Sequence, residues 1–244
     1  MSNTNKNYNL IKASGRGFAD HGWLRSAHSF SFANYYNPEM VHFGALRVLN
    51  DDYVAAGKGF GKHPHDNMEI ISIPLSGELR HGDSMGNTTV IKAGEVQVMS
   101  AGTGVIHSEM NNRSDIPAEF LQIWVFPNQK NVEPRYDQKK ISPESLSNKL
   151  GQIVSPIGDY EGDGVQIYQK SWFYLGRFDQ SKSISFNPKN TQNGLYLFLL
   201  EGSANVDGYD LNKRDALTVL DACQVDINME KDSTILLIEV PMSW

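Results

Sequence analysis

Turn-forming residues recur at short intervals along the whole chain, and this spacing limits what the chain can fold into. Glycine occurs 21 times and proline 10 times among the 244 residues. The segments between them are rich in Val, Ile, Phe, Tyr and Leu. Short apolar segments that alternate with turns are typical of a β-sandwich or β-barrel. The clearest predicted strands lie within 28–36, 69–83, 88–101 and 118–127.

The polar segment 127–145 is predicted to connect two halves, because it has few apolar residues and several prolines. Near its end, a short helix is predicted over 142–150 with Ser142 as its N-cap. The strand pattern then resumes, and segment 194–222 repeats the outline of segment 68–101: apolar strand, glycine, polar hairpin, second strand, turn and third strand. The sequence therefore predicts two copies of one β unit.

Two pairs of polar residues have the spacing of a metal site. Side chains two apart share one face of a strand, so His63 and His65 project together, and Glu69 joins them if the strand continues regularly. Two imidazoles do not make a strong site, but His107 and Glu109 form a second pair after a glycine turn. On neighbouring strands, the pairs predict an ion held by three imidazoles and a carboxylate. The spacing leaves either glutamate open as that carboxylate, and the alternative is a buried polar cluster without an ion.

The two β units differ in their histidines. Aligning the glycine that follows the first strand of each unit places Pro188 and Asn190 where the first unit has its H-x-H pair. All seven histidines lie at or before His107, so only the first unit can hold a histidine-based site. The histidines outside the two pairs are each predicted to be ordinary polar residues: His21, His28, His42 and His81.

Charge and cysteine content exclude several classes of protein. A net charge of −6 and a pI near 5.6 argue against a general affinity for nucleic-acid phosphates. The single Cys223 has no partner for an internal disulfide, and the polar N-terminus lacks the apolar segment of a signal peptide. No apolar run is long enough to span a bilayer. We therefore expect a cytoplasmic protein that binds neither nucleic acid directly nor a membrane.

Two segments resemble the motifs of the cupin superfamily. Segment 57–77 has a glycine, five residues, the H-x-H pair, three residues, Glu69 and a later glycine. Segment 94–111 resembles the second motif, but Gly102 stands where the usual proline does, and two extra residues precede it. These departures, together with the sequences of segments 21–38 and 80–87, resemble the sequences of the pirin family. The resemblance covers essentially the whole chain and is strongest over 20–127.

The resemblance to pirins implies an all-β bicupin, in which two antiparallel β-barrels of jelly-roll type face each other and helices are few and short. It implies an N-terminal cupin over 1–132 that carries the metal and a C-terminal cupin over 133–244 without metal ligands. In pirins the carboxylate ligand is the glutamate two residues after the motif-two histidine. The implied ligands are therefore His63, His65, His107 and Glu109, with Glu69 the alternative or a supporting group.

Bacterial pirin-like proteins resemble quercetin 2,3-dioxygenases, so the resemblance implies an enzyme that opens the heterocycle of a flavonol with O2 and releases carbon monoxide. The cofactor implied is one divalent transition metal ion, Fe(II) first, with Mn, Ni, Cu, Co or Zn as alternatives. Glu109 is the expected catalytic base as well as a ligand. Phe30 and Phe32 are candidates for the pocket wall, although a place in the core is the favoured interpretation.

Two other functions stay open at this point. Eukaryotic pirins are metal-dependent transcriptional co-regulators, so a non-catalytic, redox-sensing protein that acts through protein partners is the main alternative. A cupin enzyme with another substrate is the second, because one fold hosts many activities. A monomer is expected, since a chain of two barrels can cover its own sheet edges.

Overall fold

The structure is a computed structural model that describes residues 6–159 and 161–244. Within them the regular secondary structure is almost entirely β-strand, which confirms the predicted all-β class. The strands of the first half are β1 (Asn7–Ile11), β2 (Gly17–Asp20), β3 (Leu24–His28), β4 (Leu46–Val54), β5 (Gly59–His65), β6 (Glu69–Ser76), β7 (Glu78–Asp83), β8 (Thr88–Lys92), β9 (Glu95–Ser100), β10 (Val105–Asn111) and β11 (Ala118–Val125). A 3-10 turn spans Ala13–Gly15.

The second half begins with β12 (Arg135–Lys140) and one helical turn, α1 (Pro143–Leu146). The remaining strands are β13 (Gly151–Pro156), β14 (Val165–Ile167), β15 (Trp172–Phe178), β16 (Lys182–Phe186), β17 (Asn193–Glu201), β18 (Ser203–Val206), β19 (Tyr209–Asn212), β20 (Ala216–Leu220), β21 (Val225–Met229) and β22 (Ser233–Pro241).

The strands form two modules of the same design, each with a seven-stranded and a four-stranded sheet. The N-terminal module has the orders β12-β9-β6-β11-β4-β3-β2 and β5-β10-β7-β8. The C-terminal module has the orders β1-β20-β17-β22-β15-β13-β14 and β16-β21-β18-β19. Equivalent strands occupy equivalent positions, which confirms the predicted repeat.

Two strands cross between the modules. β1 pairs with β20 in the C-terminal module, and β12 pairs with β9 in the N-terminal module. Each thereby covers the backbone donors and acceptors that an edge strand would expose. The segment predicted as a connector thus contributes a strand to the first module. The division of the chain after residue 132 stays a prediction, and sheet membership departs from it at these two strands.

The seven-stranded sheets pack face to face and bury a shared apolar core. Ile71 and Ile73 of β6 point into this core, where Phe173 and Phe198 meet them from the C-terminal module. Because side chains alternate along a strand, Ser72 points to the opposite face, into the N-terminal module. The face of the sheet to which a residue points therefore decides whether its side chain can reach the histidines.

The interior of the C-terminal module is filled with apolar side chains. Phe186, Val225, Ile227 and Met229 of β16 and β21 are buried there, on the strands that correspond to the histidine-bearing β5 and β10. A close-packed interior of this kind leaves no polar ligands for an ion. Among the described residues, the group of side chains close enough to hold an ion lies in the N-terminal module.

Two local predictions are wrong. The strand predicted over 28–36 ends at His28, because the chain turns tightly between Phe32 and Tyr35 with Ala33 at φ 49°. The helix predicted over 142–150 is the single turn α1. The Ser142 hydroxyl donates to the Glu144 carboxylate instead of accepting from the backbone, so the expected N-cap bond is missing.

Candidate metal centre

Strands β5 and β10 bring three histidines together. The strands run antiparallel, with His107 directly opposite His63 and with Val105 opposite His65. The ring centroids of His63 and His107 are 4.4 Å apart, and His65 lies 4.9 Å from His63 and 5.0 Å from His107. Each ring offers a nitrogen within 4.8 Å of a nitrogen on the other two. Imidazoles at this spacing can converge on one ion.

A β-bulge in the same strand pair sets where Glu109 lies. The register between β5 and β10 shifts after His107, so that Glu109 lies opposite Phe60. Gly59 permits the close approach, because a Cβ at this residue would overlap the backbone of Glu109 and Met110. A bulge that redirects a side chain beside a site is a recurrent device in sheets.

The protonation state of the histidines suits metal binding. Burial, together with the neighbouring imidazoles, lowers the pKa of His65 to about 4 and that of His107 to about 2. Both rings are therefore neutral at physiological pH and keep a lone pair for an ion. The buried nitrogens His65 Nε2, His107 Nδ1 and His107 Nε2 have no hydrogen-bond partner among the described residues. Unpaired buried nitrogens are costly unless something binds them, so these residues fit a transition metal ion.

Glu109 lies in the same interior and is held from β6 and β11. Its side chain is 1 % exposed, and it accepts hydrogen bonds from Ser72 Oγ at 2.8 Å and from Gln122 Nε2 at 2.6 Å. It is not part of the three-histidine cluster. The structure thus unites the three predicted histidines and places the predicted carboxylate beside them, anchored by two donors.

Glu69 points away from the histidines. Residues 66–68 form a turn, with Asn67 at φ 44°, so β6 does not continue the alternation of β5. Glu69 shares the parity of Ile71, on the side of the sheet that faces the C-terminal module. It accepts a hydrogen bond from Ser100 Oγ at 2.7 Å, and burial raises its pKa to about 7. The sequence predicts that Glu69 joins the histidines only if the strand continues regularly, and this condition is not met.

A cavity of about 220 Å³ opens beside the cluster and is lined by His63 and Glu109. Its apolar and aromatic lining comes from Leu24, Phe32, Phe60 and Trp124. The polar part of the lining comes from Ser26, His28, Asn50, Asp52 and Gln122. An apolar cavity with a few convergent polar groups is the usual form of a small-molecule site. Phe32 thus lines the cavity, whereas Phe30 is a core residue.

Asp52 is a polar group of this cavity that the sequence does not single out. Its Oδ1 is buried without a hydrogen-bond partner among the described residues, and burial raises its pKa to about 7. A perturbed carboxyl in a cavity is a marker of functional sites. Gln122 is the second polar residue of the cavity that the sequence does not single out. Its position as a polar residue inside the apolar run 118–127 is the signal that could have identified it. No comparable signal marks Asp52.

The architecture and the histidine cluster define a metal-binding cupin built from two modules. The chain belongs to the pirin family. Residues 11–125 match the family model described as Pirin, and residues 152–240 match the one described as Quercetinase C-terminal cupin domain. The bicupin fold implied by the sequence is thereby confirmed.

Individual relatives match nearly the full length of the chain. A quercetin 2,3-dioxygenase of Escherichia coli strain K12 is 38 % identical over 232 residues, which cover 95 % of this chain and 98 % of that protein. The crystal structure of YhhW from Escherichia coli superposes with a TM-score of 0.90 at 36 % identity, over 96 % of this chain and 97 % of that one. The crystal structure of bacterial pirin YhhW in complex with nickel(II) has a TM-score of 0.89 at 36 % identity, over 96 % and 99 %.

In the part of the chain that the structure describes, no helix has the length and hydropathy needed to cross a bilayer.

Proposed function

We propose that this protein is a metal-dependent dioxygenase that opens the heterocycle of a flavonol such as quercetin with O2 and releases carbon monoxide. The observation that carries the proposal is a cavity with an aromatic lining, which opens directly beside three histidines and Glu109. The similarity to a quercetin 2,3-dioxygenase over nearly the whole chain supports the same reaction class.

We assign the ion to His63, His65 and His107, with Glu109 as the fourth ligand. One divalent transition metal suits this donor set, with Fe(II) and Ni(II) the first candidates, since imidazole and carboxylate discriminate little among these ions. Bound there, the ion would supply Lewis-acid and redox chemistry to a hydroxyl-bearing substrate and O2.

The protein's own contribution begins with Glu109. Ser72 and Gln122 fix this carboxylate beside the cavity, where it can accept the proton of the substrate's 3-hydroxyl group. Loss of that proton raises the electron density of the ring that O2 attacks. Glu109 thus acts as the catalytic base.

The cavity walls orient the substrate. Phe60 and Trp124 offer flat apolar surface to an aromatic ring and exclude water from it. Asn50 and Asp52, which also line the cavity, would contact the ring's polar substituents. A planar, hydroxylated aromatic molecule matches this division of polar and apolar surface.

The test combines metal analysis with turnover. Protein loaded in turn with Fe(II), Ni(II) and Mn(II) should consume O2, bleach quercetin and release carbon monoxide detectable by gas chromatography. His63→Ala and His107→Ala should abolish all three signals, whereas His42→Ala should not, because His42 lies outside the cavity.

The outcomes separate the candidate functions. Stoichiometric metal without flavonol turnover would refute the dioxygenase and leave a metal-binding regulator or an enzyme with another substrate. Failure of the protein to bind any of the three ions would refute the site itself.

A further inference from the structure

His81 is buried behind the histidine cluster and has no role in the site as described so far. It lies on β7, opposite Glu109 in the pairing with β10, and its neighbour on the same face, Asp83, lies opposite His107. The side chains of His81 and Asp83 are both fully buried. The prediction that His81 is an ordinary polar residue does not account for a buried imidazole at this position.

The contacts of Asp83 settle the tautomer of His81. The Asp83 carboxylate accepts hydrogen bonds from the backbone N–H groups of Met85 and Asn87, and from the Asn87 amide at 2.9 Å. All of these partners are donors, so the carboxylate acts as an acceptor throughout. His81 Nε2, which lies 2.8 Å from Asp83 Oδ2, must therefore carry the proton and donate it. In the neutral ring this leaves Nδ1 as an acceptor.

That acceptor is buried beside the ring of His107 and has no hydrogen-bond partner among the described residues. Nδ1 of His81 and both ring nitrogens of His107 are buried without a hydrogen bond among the described residues. The two ring centroids are 5.5 Å apart. A hydrogen bond of about 2.9 Å plus the two ring radii brings imidazole centroids to roughly 5 Å, so a small rotation joins the rings. Tyr136 stacks on His81, with ring centroids 4.7 Å apart, and limits the movement of the ring.

We propose that His81, oriented by Asp83, accepts a hydrogen bond from the nitrogen of His107 that does not bind the ion. His107 needs such a partner, because a histidine ligand carries a proton on its second nitrogen, and the group that accepts it sets the ring's orientation and tautomer. His81 is thus a positioning residue for the metal site. The inference depends on the proposed metal site, but not on the proposed reaction.

A pair of substitutions separates this role from simple packing. In His81→Gln the amide reaches the place of Nε2 and keeps the contact with Asp83, but the acceptor for His107 is lost. In His81→Asn the amide oxygen lies near the place of Nδ1, and the acceptor is kept. His42→Gln is the matched control, because His42 is exposed and lies outside the cavity.

Ni(II) affinity, measured by competition with a chromophoric chelator, is the first readout. We expect a 10- to 100-fold weaker affinity in His81→Gln, the range found when the outer partner of a histidine ligand is removed. The loss should be clearly smaller in His81→Asn and absent in His42→Gln. Equal weakening in both His81 variants, with equally lowered thermal midpoints of the metal-free proteins, would assign His81 a packing role and overturn the inference.

The second readout needs no activity either. In Zn(II)-loaded protein, the imidazole ¹H–¹⁵N spectrum should show a His107 N–H proton protected from solvent exchange, and His81→Gln should remove that protection. An unprotected proton in the wild type would contradict the inference. If the wild type binds nickel but does not oxidise quercetin, the proposed reaction fails while this inference stands. If the wild type binds no metal, both fail.

Discussion

Glu69 offers a sharp test of how the site is divided between the two faces of one sheet. Its side chain is 1 % exposed, lies on the face toward the C-terminal module and accepts a hydrogen bond from Ser100. Glu69→Gln keeps the shape of the side chain and removes its ability to ionise. If the assignment of faces is right, this change alters folding stability with pH and leaves metal affinity unchanged.

The magnitude follows from the pKa of Glu69. Burial raises this pKa from an ordinary 4.5 to about 7, so the folded state binds a proton that the unfolded state has already released between these two values. The stabilisation is fully present below pH 4.5 and is lost as the pH rises through 7. At about 1.4 kcal/mol per pKa unit, the loss is about 3 kcal/mol in the wild type. Glutamine does not ionise, so the Glu69→Gln variant does not lose this stability as the pH rises.

Urea unfolding of the metal-free full chain at pH 5 and pH 8 measures this difference. The free energy of unfolding of Glu69→Gln, relative to the wild type, should rise by about 2.5 kcal/mol between the two pH values, because part of the loss is already complete at pH 5. Glu133→Gln, at an exposed residue, is the matched control. An equal difference at both pH values for Glu69→Gln would refute the reasoning. Weakened metal binding would place Glu69 at the ion, whereas we expect that effect in Glu109→Gln.

Three further outcomes are expected. Gln122→Met removes the 2.6 Å donor to the buried Glu109 and should lower the free energy of unfolding by about 2 kcal/mol, measured in urea; an unchanged midpoint would contradict this hydrogen bond. Gly57→Ala should lower the free energy of unfolding by about 1 kcal/mol, because of the positive φ alone. Gly102→Ala should lower it by more, because its Cβ would also overlap the Val132 carbonyl oxygen. Equal losses in the two variants would argue against this close approach. Removal of bound metal with a chelator should lower the thermal midpoint of the wild type but not of a His107→Ala variant, and an equal shift in both would place the ion elsewhere.

The histidine cluster illustrates how much local spacing can predict. The residues of each pair share a face because side chains alternate with a period of two, and the strand register then brings His63 opposite His107. The rule failed for Glu69, since the turn at 66–68 resets the alternation. A strand that starts after a turn can present either parity, and spacing along the chain does not say which.

The strand exchange and the cavity show the other limit. Nothing in the sequence of β1 or β12 states that each pairs with the opposite module, because free sheet edges exist only once both modules have formed. Asp52 reaches the cavity from β4, far from both histidine pairs in sequence.

By itself, the sequence determined the all-β class, the repeat and the confinement of all seven histidines to the first half of the chain, because each of these depends on residue type and on spacing within a few strands. Only the tertiary structure decided which carboxylate lies beside the histidines, which residues hold it and what lies behind His107. Those answers depend on the register between strands that are distant in the chain, which backbone pairing and core packing set together.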